Sequence, residues 1–497
     1  MKRNHTMVIS QTTRNFLIYL FGGVIVVFGT ILLGALATGW QYDFATGELR
    51  ETGLIIMNSE PSGANISLND TSIKQQTPYR ATNVLPGNYT VKYEEAGYRP
   101  WVKKTSVEAE RVSFADYAWL IPEQVPTRLR YPDNKIVSAT QSIDRKRFAF
   151  VEPTSKTDES GATIPTAPRI LYAPDLARDP EILYTPPTPT SEEPGAIVID
   201  SLSINTDATW LLARQTTSDT NITWLLIPTN PNDVREKTIN LTQLTPIQPT
   251  WVGWSDGEAN ELYLILNGSL RRLTLNDKRL SDSIADGVQA AKWDNTHLLT
   301  VEVLADGLRW LRVRSKDQLN SPETIHQVAT SSSYTMQYFK LLGDDYTAIL
   351  PDSTKQLLVT RHIFNNPSER VTSISGKDIA SFTVNRSGRY IVMNEKNRMF
   401  TIDLERNQRF RYGTSLLGLA SWQWMNDQHL AIITNNQLRL IDYDGQNNEL
   451  LSTIINQQSP ILFWDNKSIL SFVRPGGNES ARPRLTHFFL LPDKILE

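Results

Sequence analysis

The chain carries six histidines, at positions 5, 297, 326, 362, 429 and 487, and no two of them lie within ten residues of each other. No H-E-x-x-H or comparable short metal motif can therefore exist. Among 497 residues there is no cysteine. That removes disulfides, thiolate zinc sites, iron–sulfur clusters and Cys nucleophiles together. The G-x-S-x-G elbow and the G-x-x-x-x-G-K-[ST] phosphate loop are missing as well. Glu192-Glu193 and Asp344-Asp345 are adjacent carboxylates, but neighbours on an extended chain point to opposite faces and make poor acid/base pairs. Carboxylates brought together from distant segments, about 5–10 Å apart, would suit glycoside hydrolysis. A carbohydrate-active enzyme or lectin therefore stays open as an alternative. The basic clusters Arg145-Lys146-Arg147, Arg271-Arg272 and Arg409/Arg411 read as solvated strand faces. With a net charge of −3 and a pI near 6.2, no bulk attraction to nucleic acid is expected. The expectation is a non-enzymatic chain with no catalytic residues, no cofactor and no metal.

The elements that would position any site begin with an apolar run. Phe16 to Ala37, FLIYLFGGVIVVFGTILLGALA, is 22 residues without a charge. As a helix it would be about 33 Å long, enough for a hydrocarbon core of about 30 Å. Trp40 and Tyr42 follow where amphipathic rings favour an interface. Lys2, Arg3 and Arg14 precede the run and Asp43, Glu48 and Glu51 follow it, which puts the N-terminus in the cytoplasm. A transmembrane helix at 16–38, in contact with a lipid bilayer, is the reading. Ala35-Leu36-Ala37 supplies a small-residue pattern, so a leader cleaved after Ala37 is its alternative.

From Gly53 the texture becomes β. Tyr89, Val91 and Tyr93 alternate with Thr90, Lys92 and Glu94, a strand wet on one face and buried on the other. Turn residues punctuate five or six short strands, the pattern of a small β-sandwich. Pro61-Ser62-Gly63-Ala64, then Thr77-Pro78, Leu85-Pro86-Gly87-Asn88-Tyr89 and Gly97-Tyr98 resemble a PEGA domain over 53–121. Ser62 stands where the motif has Glu, a change that leaves the turn-forming Pro and Gly in place. The resemblance implies an extracytoplasmic β-module of surface and envelope proteins in which Pro61, Gly63, Ala64, Thr77, Pro78, Pro86, Gly87, Tyr89, Gly97 and Tyr98 hold the fold. Gly87 in particular is expected to need φ > 0.

Pro122, Pro126 and Pro132 mark a stiff linker at 122–132. Beyond it a unit recurs in which a strand ends on a large apolar residue and a polar turn leads to a second apolar strand. Those residues are Ile143, Ile204, Trp254, Trp293, Phe339, Val384, Trp424 and Trp464, with spacings of 61, 50, 39, 46, 45, 40 and 40. Four-stranded propeller blades repeat at about 40–50 residues. The long first interval is accounted for by polar loops at 152–168 and 185–195. Thr127 to Tyr131 would supply the strand missing from the last copy and so close the ring. W-S-D-G at 254–257 and the W-x-N-D and W-D-N turns resemble TolB-type or YVTN-type blades.

The fold class expected is therefore mainly β, with one N-terminal transmembrane helix, a PEGA sandwich and a seven- or eight-bladed β-propeller. The segments are a cytoplasmic tail at 1–15, the span at 16–38, a linker at 39–52, the sandwich at 53–121, a linker at 122–132 and the propeller at 133–492. The function expected is that of a bacterial envelope scaffold presenting the propeller to an envelope protein or a cell-wall glycan. A purely structural envelope element is the third possibility.

Overall fold

The computed structural model describes residues 11–37, 40–43, 47–131, 136–157, 163–175, 178–187, 197–218, 221–230, 237–255, 257–294, 296–364, 367–396, 398–413, 419–453, 460–464, 467–473 and 484–491. It divides into two compact units, Met1–Gln124 and Val125–Glu497. Lys2, Arg3, His5, Glu192-Glu193 and Pro132, singled out above, and residue 38 at the end of the expected span lie outside the described residues.

The first unit opens with helix α1, Gln11–Ala37, 27 residues long. Counted over the residues whose side chains are described, no helix is long and apolar enough to cross a membrane. The backbone helix is longer than that described run of side chains. Residues 39–52, expected as a linker, contain a hairpin of Trp40–Asp43 and Glu48–Glu51. Two sheets follow. The three-stranded sheet has the order Tyr79–Val84, Gly53–Glu60, Val112–Trp119, and its last pair is parallel. The four-stranded sheet runs Thr71–Gln76, Asn65–Leu68, Gly87–Glu94, Trp101–Val107. Ile55, Met57 and Ala115 from the first pack with Ile66, Val91, Tyr93 and Trp101 from the second. This is the expected sandwich, because strands of period two can each give one face to a shared core.

The second unit is a β-propeller. Among its described residues eight four-stranded antiparallel sheets follow one another along the chain. Blades 1 to 7 span 138–184, 198–240, 251–280, 288–328, 334–376, 379–411 and 419–453, each with its strands paired in chain order. The first strands of blades 1 and 2, 3 and 4, 4 and 5, and 5 and 6 touch one another and so line the centre. Blade 8 takes three strands from 462–489 and its outermost from Thr127–Tyr131, paired antiparallel with Arg484–Phe489. This is the closing strand expected from the sequence, and it takes 5 residues, Thr127–Tyr131, out of the linker read at 122–132. Closing the ring with a strand from the start of the unit removes a free edge. Phe148 and Phe150 of blade 1 pack with Leu462, Leu470 and Phe472 of blade 8, sealing the junction.

The polar stretch 152–168 also differs from expectation. Phe148–Thr157 and Thr163–Ala173 continue as paired strands as far as Thr157 opposite Thr163. Its Thr residues are β-branched and suit a pleated ladder once a partner strand is supplied.

Candidate binding site

The PEGA motif residues are structural. Thr77 Oγ1 accepts from the amides of Gly63 and Ala64 at 3.1 and 3.0 Å and shares a 2.6 Å hydrogen bond with Ser59 Oγ. Pro61 and Pro78 each follow a cis peptide bond, and Gly63 and Gly97 have φ of +98° and +82°. Tyr89 Oη donates to the Leu85 carbonyl, and Tyr98 bridges to Pro122. Pro86 sits in the bend before the strand that Gly87 begins. Gly87 departs from expectation: it has no positive φ, and a Cβ there would meet only Tyr89 Cε2, at 3.8 Å.

Seven of the eight repeat residues, Ile204, Trp254, Trp293, Phe339, Val384, Trp424 and Trp464, lie at or near the ends of innermost strands. Trp254, Trp293 and Trp424 are only 9%, 7% and 7% exposed. They are packing residues and not an open stacking surface for sugars. Ile143 is the exception. It lies two residues past its strand, in a turn, 75% exposed. Residue type had pointed to it, but the alternation of the strand ends at Gln141.

Polar side chains around the ring's centre are used across blade junctions. Gln141 Oε1 accepts from Phe463 N at 2.8 Å, Gln337 Oε1 from Val384 N at 2.9 Å, and Asp294 Oδ2 from Tyr338 N at 3.1 Å. Lys292 Nζ donates to the Met336 carbonyl at 2.8 Å. Arg145, in the turn of blade 1, donates to the carbonyls of Met425 and Trp424 in blade 7 and lies over the Phe463 ring of blade 8. Asp294 ends the innermost strand of blade 4. Burial pushes its carboxyl up, while Lys292 and the Tyr338 amide pull the other way. No second carboxylate is among the groups that shift it.

Blade 4 also holds a buried ionic cluster. Arg314 Nη1 donates to Glu302 Oε1 at 2.5 Å and to Thr300 Oγ1 at 2.8 Å, and Arg312 Nη1 donates to Glu302 Oε2 at 2.7 Å. Burial alone would raise the Glu302 carboxyl, but the hydrogen bonds and charge of the arginines outweigh it and hold it below the usual range. Among the described histidines, His297, His429 and His487 are buried and His326 is half-buried. His429 lies 3.4 Å from Asp442, His487 Nε2 shares a 2.7 Å hydrogen bond with Ser468, and His326 Nδ1 meets Thr360 Oγ1 at 3.1 Å. Asp344, one of the adjacent pair, takes Arg361, while Asp345 accepts from Tyr338 Oη at 2.5 Å. Among the described residues no group of three His, Asp or Glu is placed to hold a metal.

A cleft of about 630 Å³ opens between blades 2 and 3. Blade 2 contributes Trp210, Lys237 to Asn240, and Gln243 and Leu244 of the short helix α2, Leu241–Leu244. Blade 3 contributes Asn260 and the turn residues Leu275, Asn276 and Lys278. Trp210 and Leu275 are buried and form apolar floor; the amides and lysines, apart from half-buried Asn240, are exposed. Asn240 Oδ1 caps the Thr242 amide at 3.0 Å, which fixes its side chain. Sequence reasoning missed this cleft. Its residues are spread over four segments, and amides at no fixed spacing form no motif.

Residues 52–118 match the PEGA domain family. The rest of the chain lies outside that match. No curated protein matches the sequence. Matches among solved structures include a eukaryotic initiation factor, 11% identical, with a TM-score of 0.43, over 74% of this chain and 93% of that one. Another comes from a structural and mechanistic analysis of two prolyl endopeptidases, 9% identical, TM-score 0.45, over 70% of this chain and 55% of that one. The PEGA domain thus has support from motif, topology and family together, and the propeller rests on its sheet order and ring closure.

Proposed function

We propose that the protein is a single-pass scaffold of a bacterial cell envelope, N-terminus in the cytoplasm, whose PEGA domain and propeller stand outside the membrane and bind an envelope protein or cell-wall glycan. The observation that carries the anchor is the surface of α1. Its described large apolar residues, from Phe16 to Leu33, are between 45% and 78% exposed on every side of the helix. A helix apolar all round needs an apolar surround. Its 27 residues give about 40 Å of length against a hydrocarbon core of about 30 Å. Arg14 in its first turn, with Lys2 and Arg3 before it in the sequence, favours the cytoplasmic orientation. Reading the blades as TolB- or YVTN-type belongs to the same proposal and rests on their turn sequences.

Binding is favoured over catalysis because the buried ionisable groups described above are engaged in structural pairs, whereas the open cleft offers amides and ammonium groups. A propeller enzyme acting on polysaccharide would draw on Asp294, whose raised pKa suits a proton donor, and would need a second carboxylate facing it. Photo-crosslinking in intact cells from a reactive residue at Gln243 tests the proposal. Adducts with an identified envelope protein or a wall fragment support it. Adducts confined to cytoplasmic proteins contradict it.

A further inference from the structure

Resting on that binding role, we infer that the cleft between blades 2 and 3 is a ligand site for an anionic, hydroxyl-rich chain, a glycan bearing carboxylate or phosphate groups. Three features of its lining lead there. Its charge is one-signed: Lys237 and Lys278 stand on opposite blades, and no carboxylate is among the described lining residues. Four side-chain amides, those of Asn240, Gln243, Asn260 and Asn276, converge on the same space. Each amide pairs donors with an acceptor, the combination that vicinal hydroxyls answer, and an ammonium answers an anionic substituent. Leu244, 41% exposed, and half-buried Ile239 line the same cleft and give apolar surface for the C–H face of a sugar ring.

Size and construction agree. About 630 Å³ falls within the roughly 300–1,000 Å³ of ligand pockets. Each wall is fixed in place: on blade 3 Leu275 N donates to the Asn260 carbonyl at 2.9 Å, and on blade 2 Asn240 is held by its cap. A peptide adding itself as a strand fits less well, because the outer strand of blade 2 at this place is only Ile239–Asn240, two residues.

The test uses the full-length protein in nanodiscs and calorimetric titration with three probes. These are hexagalacturonate, its uncharged methyl ester, and an oligomer of glycerol phosphate. The wild type is expected to bind at least one acidic probe, with affinity falling as salt rises, and to bind the methyl ester at least tenfold more weakly. The tighter acidic probe identifies the anion. Lys237→Gln with Lys278→Gln should cost about tenfold for the acidic probe and leave the methyl ester unchanged. Asn260→Leu with Asn276→Leu should weaken both, and an unchanged melting temperature in each variant excludes misfolding. No binding of either acidic probe, or binding indifferent to the lysine pair, overturns the inference. Envelope adducts formed in cells despite that result would leave the scaffold role standing and move its ligand site elsewhere.

Discussion

At Glu302 a carboxylate with 1% of its side chain exposed sits between Arg312 and Arg314. Removing one member of such a set leaves buried charge without compensation, which costs more than the intact set contributes. Glu302→Ala should therefore lower stability by about 3–5 kcal/mol in a denaturant titration; a loss under about 1 kcal/mol would show that the arginines find water instead. His326 adds a pH dependence. Burial first, and then the Arg370 cation, lower its pKa to about 4 from the ordinary 6.5. The unfolded chain thus binds more protons between those values, so stability falls as pH drops from about 6.5 toward 4 and levels off below. Glu302 acts in a lower window, its contribution present above the ordinary carboxylate pKa and lost as pH falls through its depressed folded value. Melting temperatures of wild type and His326→Gln between pH 7 and 4 check the histidine's share. The Gln variant should show the flatter curve, and equal slopes would place the acid sensitivity elsewhere.

The turns between first and second strands are the elements that fasten blade to blade. Asn205 of blade 2 donates to the Ala259 carbonyl of blade 3, and Asn385 of blade 6 to the Asp427 carbonyl of blade 7, each at 3.0 Å. Gly388 lies in the same turn as Asn385, with φ of +77°, and a Cβ there would run into the backbone carbonyl of Lys340 in blade 5. Neither strain is easily relieved, since the obstacle is main chain. Gly388→Ala should lower the propeller's melting temperature by several degrees, the effect of about 1–3 kcal/mol for a disfavoured backbone conformation. Gly87→Val, at the start of a PEGA strand where a Cβ would make only an ordinary contact with Tyr89, should leave the melt within about 0.5 kcal/mol of wild type. Differential scanning of the two variants separates them; a reversed order would mean the close approach at Gly388 is not made.

For the whole molecule, much of the fold was legible because it is written in local rules. Gly63, Gly97 and the prolines punctuate the PEGA turns, and apolar residues at the ends of innermost strands mark the blades. Where sequence reasoning erred, a partner strand decided the outcome. The closing strand Thr127–Tyr131 was legible from the strand missing in the last copy, whereas 152–168, read as a loop, extended as a hairpin because its two halves face each other. The cleft was illegible for another reason: Lys237, Asn260 and Lys278 meet only after two blades have packed side by side. The central claim joins these parts, a propeller held outside a membrane by α1. Protease added to intact, wall-stripped cells, followed by detection of tags at both chain ends, tests it most directly. The account predicts that the C-terminal tag disappears while a short fragment carrying the N-terminal tag persists in the membrane. A propeller that survives until the cells are lysed, or an N-terminal tag lost with it, would contradict that arrangement.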